Sequence, residues 1–332
     1  MEITTKDIAR ICGVSRGTVD RAINDRPGIN PATKEKILSL IKEVGYRPDH
    51  LARSLAKGKT YTIGVIVFDL YNRFFSQLVN TIESKAHESE YFISLAITDK
   101  DPVKERLCIE HFVSRKVDGI ILMTVQKGRA FEQYLKSINT PLVTIINKIS
   151  NSWTFVGIDD LLATRDAVDF LAGRGYKNIV YISPPLGHKD SRNIYALEQR
   201  LAGYREGLKD FGPGIEPAVL RTGDFEIIYR TLKEKLRKGK TALLLSADIY
   251  ALEALSFLKT KGIRVPGDVG IMGFDNIDVL RYVTPQLSTV SYHIEEIGRA
   301  AVDCLIKQVK KTSSARQPDM IVSHTIIDGK SV

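Results

Sequence analysis

The sequence predicts an α/β protein: a small N-terminal helix-turn-helix domain, a short connecting segment, and a two-lobed core of doubly wound parallel sheets. Three observations carry that prediction. The first 47 or so residues hold three short, capped apolar stripes at helical spacing. From residue 61, apolar runs alternate with helical stretches in two successive sets. Finally, 332 residues with 43% hydrophobic content are more than one ordinary domain uses. The expected parts are 1–47, 48–60 and 61–332.

Thr5 reads as the N-cap of a first helix from about Lys6 to Cys12, with Ile8, Ile11 and Cys12 at helical spacing and Gly13 as its stop. Ser15 caps a second helix of about ten residues, in which Val19, Ala22 and Ile23 face inward and Arg16, Gly17, Asp20, Arg21 and Asn24 face out. Two short helices around a Gly-containing turn make a helix-turn-helix. Asn30 and Pro31 open a third helix, expected to bury Ile37, Leu38, Leu40, Ile41 and Val44 before Gly45 ends it.

In this motif the second helix enters the DNA major groove and its first residues meet the base edges. Arg16 is the candidate reader, because a guanidinium donates two bonds to guanine O6 and N7. Gly17 lets the backbone approach; Ser15, Thr18, Arg21 and Asn24 suit phosphate or base contacts, and Thr5 is counted with them. Asp20 is expected to hold Arg16 at i, i+4 spacing, the alternative being that it accepts from a cytosine amino group. Charge is concentrated at the same end: residues 1–60 carry 12 Lys and Arg against 7 Asp and Glu, from totals of 48 and 39. A positive field suits a polyanion binder, since neutralised phosphates release counterions; a solvated basic surface is the plainer alternative.

The stretch YRPDHLARSLAKGKT follows, Tyr46 to Thr60, with Leu51, Ala52, Leu55 and Ala56 on one helical face. A helix of about eight residues is too short to stand alone in water. Either it is a linker, or it folds against a second copy and a bent minor groove, with Leu55 and Ala56 on the DNA and Leu55 as an apolar wedge.

Beyond it, YTIGVIVF, YFISLAI, VDGIILM and PLVTII form one set of strands, and TFVGI, NIVYIS, TALLLS and DVGIMGF a second. Buried strands separated by helices wind as parallel βαβ units. Each set is a lobe, with crossovers expected near Ser150 and over 282–289 and a cleft between the lobes. Clefts at the carboxyl ends of parallel strands take small ligands. There the loop FDLYNRFF offers Asp69 and Asn72 for hydroxyl groups, and Phe74 and Phe75 as faces for a sugar ring or as core.

TTKDIARICGVSRGTVDRAIN, INPATKEKILSLIKEVGYRPDHLARSLAKGKT and IGVIVFDLYNRFF, in that order, resemble the lactose and galactose repressor (LacI/GalR) family. DGIIL, QRLAGYREGL, VPGDVGIMGFDN and TPQLSTV extend the likeness over nearly the whole chain. The resemblance implies a periplasmic-binding-protein-like (type I) core with a third crossover. The helix after Ile294 then returns to the first lobe and the last strand to the second, giving an N-subdomain of about 61–150 and 290–312 and a C-subdomain of about 151–289 and 313–332. It adds Asn147, Arg200, Asp248, Asp275 and Tyr292 as effector contacts. The chain departs from the family pattern at Ala247, where an Asn is common, and at Tyr292, where the family's lactose member has a ligand-contacting Gln. The function implied is a ligand-responsive transcription regulator, a repressor of a carbohydrate-utilisation operon. It would bind a palindromic double-stranded operator as a homodimer, with a sugar-like effector between the lobes. The alternative is a sugar-binding transport protein of the same core fold.

No apolar run approaches the roughly 20 residues of a membrane helix, and the N-terminus resembles no secretion signal, so a cytoplasmic protein without a membrane partner is expected. Cys12, Cys108 and Cys304 lie far apart and read as reduced thiols. The six histidines form no HExxH, GxSxG is absent, and both GKT triplets have Arg53 or Glu234 where a phosphate loop needs glycine. No enzyme, cofactor or metal is therefore expected. Without a heptad tail after SHTIIDGKSV, a dimer is the expected end state.

Overall fold

A computed structural model describes residues 3–46, 59–184, 192–210, 217–310 and 318–332. The chain divides between Thr60 and Tyr61 into two compact units. Most of the expected connecting helix, with Leu55 and Ala56, lies outside the described residues.

In the first unit, α1 (Thr5–Cys12), α2 (Arg16–Ile23) and α3 (Pro31–Glu43) enclose Ile8, Ala9, Cys12, Val19, Ala22 and Ile37. Thr4, and not Thr5, caps α1. Its hydroxyl accepts from the Asp7 amide while the Asp7 carboxylate accepts from the Thr4 amide at 3.1 Å, a reciprocal capping box. Thr5 already lies in the first turn. Gly13 ends α1 at φ 70°, a left-handed conformation that glycine adopts at little cost. Ser15 caps α2 by accepting from Thr18 N at 3.1 Å. The helix has eight residues rather than ten, because Asp25 turns left-handed at φ 52° and Arg26 N bonds back to Arg21 O at 2.9 Å. Asn30 caps α3 from the Ala32 amide, with Pro31 following. Ile11 and Leu38, expected inside, are exposed. One narrow stripe per helix meets the shared core, and Ile8 and Ile37 occupy it.

The second unit contains strands β1 (Thr62–Val67), β2 (Phe92–Ile97), β3 (Gly119–Leu122), β4 (Leu142–Ile145), β5 (Thr154–Ile158), β6 (Asn178–Ser183), β7 (Ala218–Arg221), β8 (Thr241–Leu245), β9 (Gly270–Asp275), β10 (Ser288–Ser291), β11 (Met320–Val322) and β12 (Thr325–Ile327). Helices α4 (Arg73–Glu88), α5 (Pro102–Ser114), α6 (Arg129–Ser137), α7 (Asp160–Gly173), α8 (Tyr195–Lys209), α9 (Phe225–Leu236), α10 (Asp248–Thr260) and α11 (Ile294–Lys310) connect them. The strands form two six-stranded sheets, ordered β2-β1-β3-β4-β5-β11 and β7-β6-β8-β9-β10-β12. Both follow one permutation. Neighbours run parallel except β12, which is antiparallel to β10. Strand order reverses at β1/β3 and β6/β8, the positions where doubly wound sheets open a crevice at their carboxyl ends.

Three boundaries differ from expectation. TFVGI, placed with the second set, is β5 and pairs with β4 through Val143 and Thr154, so the first lobe continues past Ser150 to Ile158. Likewise β10 pairs with β9, so the second lobe continues past 289 to Ser291. A short strand buried on both faces shows no polar side to betray which sheet it joins. The third crossover falls after β11, which adds to the first sheet beside β5, and not near 312. The helix α11 does pack on the first lobe, and the last strand joins the second sheet, as the resemblance implies.

The chain therefore passes between lobes at Asp159, at 292–293 and at 323–324. Side chains tie these passages together. The Tyr292 hydroxyl donates to Asp160 at 3.2 Å, His293 bonds Thr325 at 3.1 Å, and His324 bonds Asp166 on α7 at 2.8 Å. In the second lobe α7 and α8 pack backbone to backbone. A Cβ on Gly203 would stand 2.0 Å from the Leu161 carbonyl oxygen, which explains the glycine in QRLAGYREGL.

Candidate functional site

On the first unit, α2 exposes Arg16, Gly17, Asp20 and Arg21. Arg10, Arg26 and Lys34 are occupied by Asp7, Asp20 and Asp25. Arg16 and Arg21 are in no ion pair among the described residues, so this face keeps two available guanidinium groups. The expected Asp20–Arg16 pairing is absent. Asp20 instead holds Arg26 at 3.2 Å and accepts from Asn24 Nδ2 at 2.8 Å. Asn24 also donates to the Asp20 carbonyl, so its amide group closes the helix end. Thr18 is likewise half committed, its hydroxyl 2.9 Å from that of Ser15.

In the second unit the lobes border a cleft of about 220 Å³. Of the expected residues, Asn72, Phe74, Phe75, Asn147, Arg200 and Asp275 line it. Asn72 begins α4, where its side chain accepts from the Phe74 amide at 3.1 Å. Phe74 and Phe75 are both buried, packed edge-on at 5.5 Å, and so serve as apolar floor and core together. Asn147 is a tie between lobes: it donates to the Thr124 and Asn193 carbonyls at 3.0 and 3.1 Å and accepts from Ala196 N at 3.2 Å. On the opposite side Arg73 Nε donates to Asp278 at 3.0 Å, and Gln77 accepts from the Asp278 amide at 3.0 Å.

Three expected contacts stand behind the lining instead. Asp69 accepts from the Asn72 amide at 2.9 Å and shapes the loop. Asp248 is fully buried, accepting from the Thr289 hydroxyl at 2.6 Å and Ile277 N at 3.0 Å. Gly273 leaves room for it, since a Cβ there would lie 2.1 Å from Asp248 Oδ1. Tyr292 is also fully buried, its ring edge-on to Phe74 at 5.3 Å and its hydroxyl on Asp160.

Arg200 is the centre of the site. Its Nε donates to Asp160 at 2.7 Å, Nη1 donates to the Ser246 carbonyl and lies 3.7 Å from Asp275, and the guanidinium covers the Phe274 ring at 3.7 Å. Burial opposes its charge, but Asp160 and Asp275 outweigh that and hold its pKa above the usual value. Burial pushes both partner carboxyls up, against the pull of Arg200. Asp275, which lines the cleft, sits at a strained φ of 118°, and Asn276 follows in the left-handed conformation at φ 58°.

Comparisons with known proteins give the family and the fold. The model for bacterial regulatory proteins of the lacI family matches residues 4–49, and that for the periplasmic binding protein-like domain matches residues 168–332. Catabolite control protein A of Priestia megaterium is 32% identical over 322 residues, covering 94% of each chain. The chain belongs to the LacI family. It is a ligand-responsive, DNA-binding transcription regulator. The ribose operon repressor of Escherichia coli K12 is 29% identical, covering 95% of each chain. A lac repressor dimer solved with operator and the anti-inducer ONPF superposes with a TM-score of 0.85 over 100% of this chain and 99% of that one; at 22% identity the likeness shows the fold.

Within this LacI-family core, sequence reasoning missed Asp160, Lys100, Arg192, Asn193, Ser246 and Tyr250. Lys100 and Ser246 follow the carboxyl ends of β2 and β8, where the strand-end rule could have found them. Arg192 and Asn193 had no such marker. Among the described residues no helix is long and apolar enough to cross a membrane.

Proposed function

We propose that the protein is a cytoplasmic repressor of a carbohydrate-utilisation operon, binding a palindromic operator as a homodimer and releasing or gripping it according to a small polyhydroxylated effector in the cleft. The free guanidinium groups of Arg16 and Arg21 on α2 carry this reading, in a chain that also holds a polar cleft between two lobes. Arg16 reads a guanine and Arg21 holds a phosphate, with Ser15, Gly17 and Thr18 bringing the helix end against the duplex. The ribose operon repressor supports the carbohydrate class. The cleft, small beside the roughly 300–1,000 Å³ of drug-sized sites, fits a single sugar ring.

A dimer gives two α2 helices for two half-sites. The edge strand β2 exposes Phe92, Leu95 and Ile97, and α5 exposes Val103 and Leu107, which suits a second copy. No enzymatic step is assigned. The effector acts on Arg200, whose anchor Asp160 also bonds Tyr292, so occupancy of the cleft biases the angle between the lobes. That angle sets the spacing of the paired 48–60 segments and decides whether Leu55 and Ala56 can engage the minor groove. By linkage, operator must change effector affinity by the factor that effector changes operator affinity. Calorimetry of a bound sugar with and without operator tests this; equal affinities remove the linkage.

A further inference from the structure

We propose that the effector is anionic, a small polyol bearing a phosphate or carboxylate, with its charge held between Lys100 of the first lobe and Arg192 of the second. This rests on the cleft being the effector site. Among the described residues the lining holds three cations, Lys100, Arg192 and Arg200, against one carboxylate, Asp275. The charge of Arg200 is balanced by Asp160 and Asp275. The other two are not, and two carboxylates close to them in sequence are engaged with other lysines: Asp99 pairs with Lys104 at 2.7 Å, and Glu198 with Lys127 at 3.4 Å. Neither Lys100 nor Arg192 forms an ion pair among the described residues, and both are exposed where the cleft opens to water. Deeper in, the Ser246 hydroxyl is buried without a hydrogen-bond partner although it lines the cleft, so the site also asks for a polar group at depth.

A neutral sugar would satisfy Ser246 and Arg200 and leave the two outer cations idle. A charged one engages all of them, and charge-assisted bonds are the strong ones. Because the two outer cations belong to different lobes, the anion also draws the lobes together. Charge on the ligand thus adds to switching as well as to affinity.

The test is calorimetry on the full-length protein with matched probes: glucose and fructose, glucose 6-phosphate and fructose 1-phosphate, glucuronate and galacturonate, and inorganic phosphate. A charged member should bind about tenfold or more tighter than its neutral parent, the gain expected of one charged hydrogen bond. Phosphate esters ahead of uronates, or the reverse, tells which anion is meant. K100Q and R192Q should each shrink the charged-to-neutral ratio, and added salt should shrink it in the unaltered protein. A neutral sugar that binds as tightly as its charged derivatives overturns the proposal and leaves the cleft as the effector site. Silence of the whole panel, with operator affinity unmoved by any member, overturns both.

Discussion

Arg200 Nε lies 2.7 Å from Oδ1 of Asp160, and both groups are nearly inaccessible to water. The most buried cation of the cleft is therefore fixed by the residue that begins α7, immediately after the chain's first passage between lobes. A buried pair of this kind positions more than it stabilises, since desolvation consumes most of the attraction. Breaking it is another matter.

Asp160→Ala should destabilise the core by about 3–5 kcal/mol, the usual cost of leaving one buried charge uncompensated. Urea unfolding of the full chain measures this. A loss below about 1 kcal/mol would mean that Asp275 alone can hold Arg200.

Asp248 should make the core's stability fall as pH rises. Burial pushes its carboxyl from 3.8 up to about 7. Below the lower value both folded and unfolded chains are protonated; between the two, the unfolded chain gives up a proton that the folded one keeps. The Asp248 contribution to stability should decline from about pH 4 to about pH 7 and then level off, with Asp275, whose carboxyl is also held up by burial, adding to the slope. Asp248→Asn should flatten that slope whatever its effect on the absolute value, as urea midpoints across the range would report. An unchanged slope assigns the titration elsewhere.

Gly203→Ala tests the α7–α8 contact. The added methyl meets a backbone oxygen, which cannot rotate away, so the helices must separate at a cost of about 1–3 kcal/mol. Because those helices carry Asp160 and Arg200, effector affinity should fall along with the melting temperature. A variant with wild-type stability would show that the helices have slack.

Arg16→Ala should relax base preference at one symmetric pair of operator positions by about 1–3 kcal/mol. Arg21→Ala should weaken all sequences alike and reduce the salt dependence by about one counterion. Binding to a panel of operator variants at several salt concentrations separates the two roles. Equal weakening across the panel for both would make Arg16 a phosphate contact.

Local signals in the sequence were read well where a single residue decides the geometry. Gly13, Ser15 and Asn30 end or begin helices by chemistry that needs no tertiary partner, and each does so in the structure. Thr5 was misplaced by one because Thr4 is an equal candidate until Asp7 is seen to complete its capping box. The lobe of TFVGI was not legible, since a wholly apolar strand belongs to whichever sheet has an open edge. In the site, Arg200 and Asp275 came from a family resemblance, and both line the cleft. Asp69, read from the loop after the first strand, and Asp248 and Tyr292, implied by the resemblance, stand behind it, because a strand end puts a residue near a cleft without choosing its direction. Lys100 and Arg192 are over ninety positions apart, and only folding places them on one opening.

The triple passage of the chain between the lobes sets their mechanics. Two bodies joined by one peptide strand can swivel in any direction, and a single cut frees them. Joined at Asp159, at 292–293 and at 323–324, with Tyr292, His293 and His324 bonded across the passages, they are restrained more against twist and slide than against opening and closing. A protease nick at any one passage would leave the two halves attached.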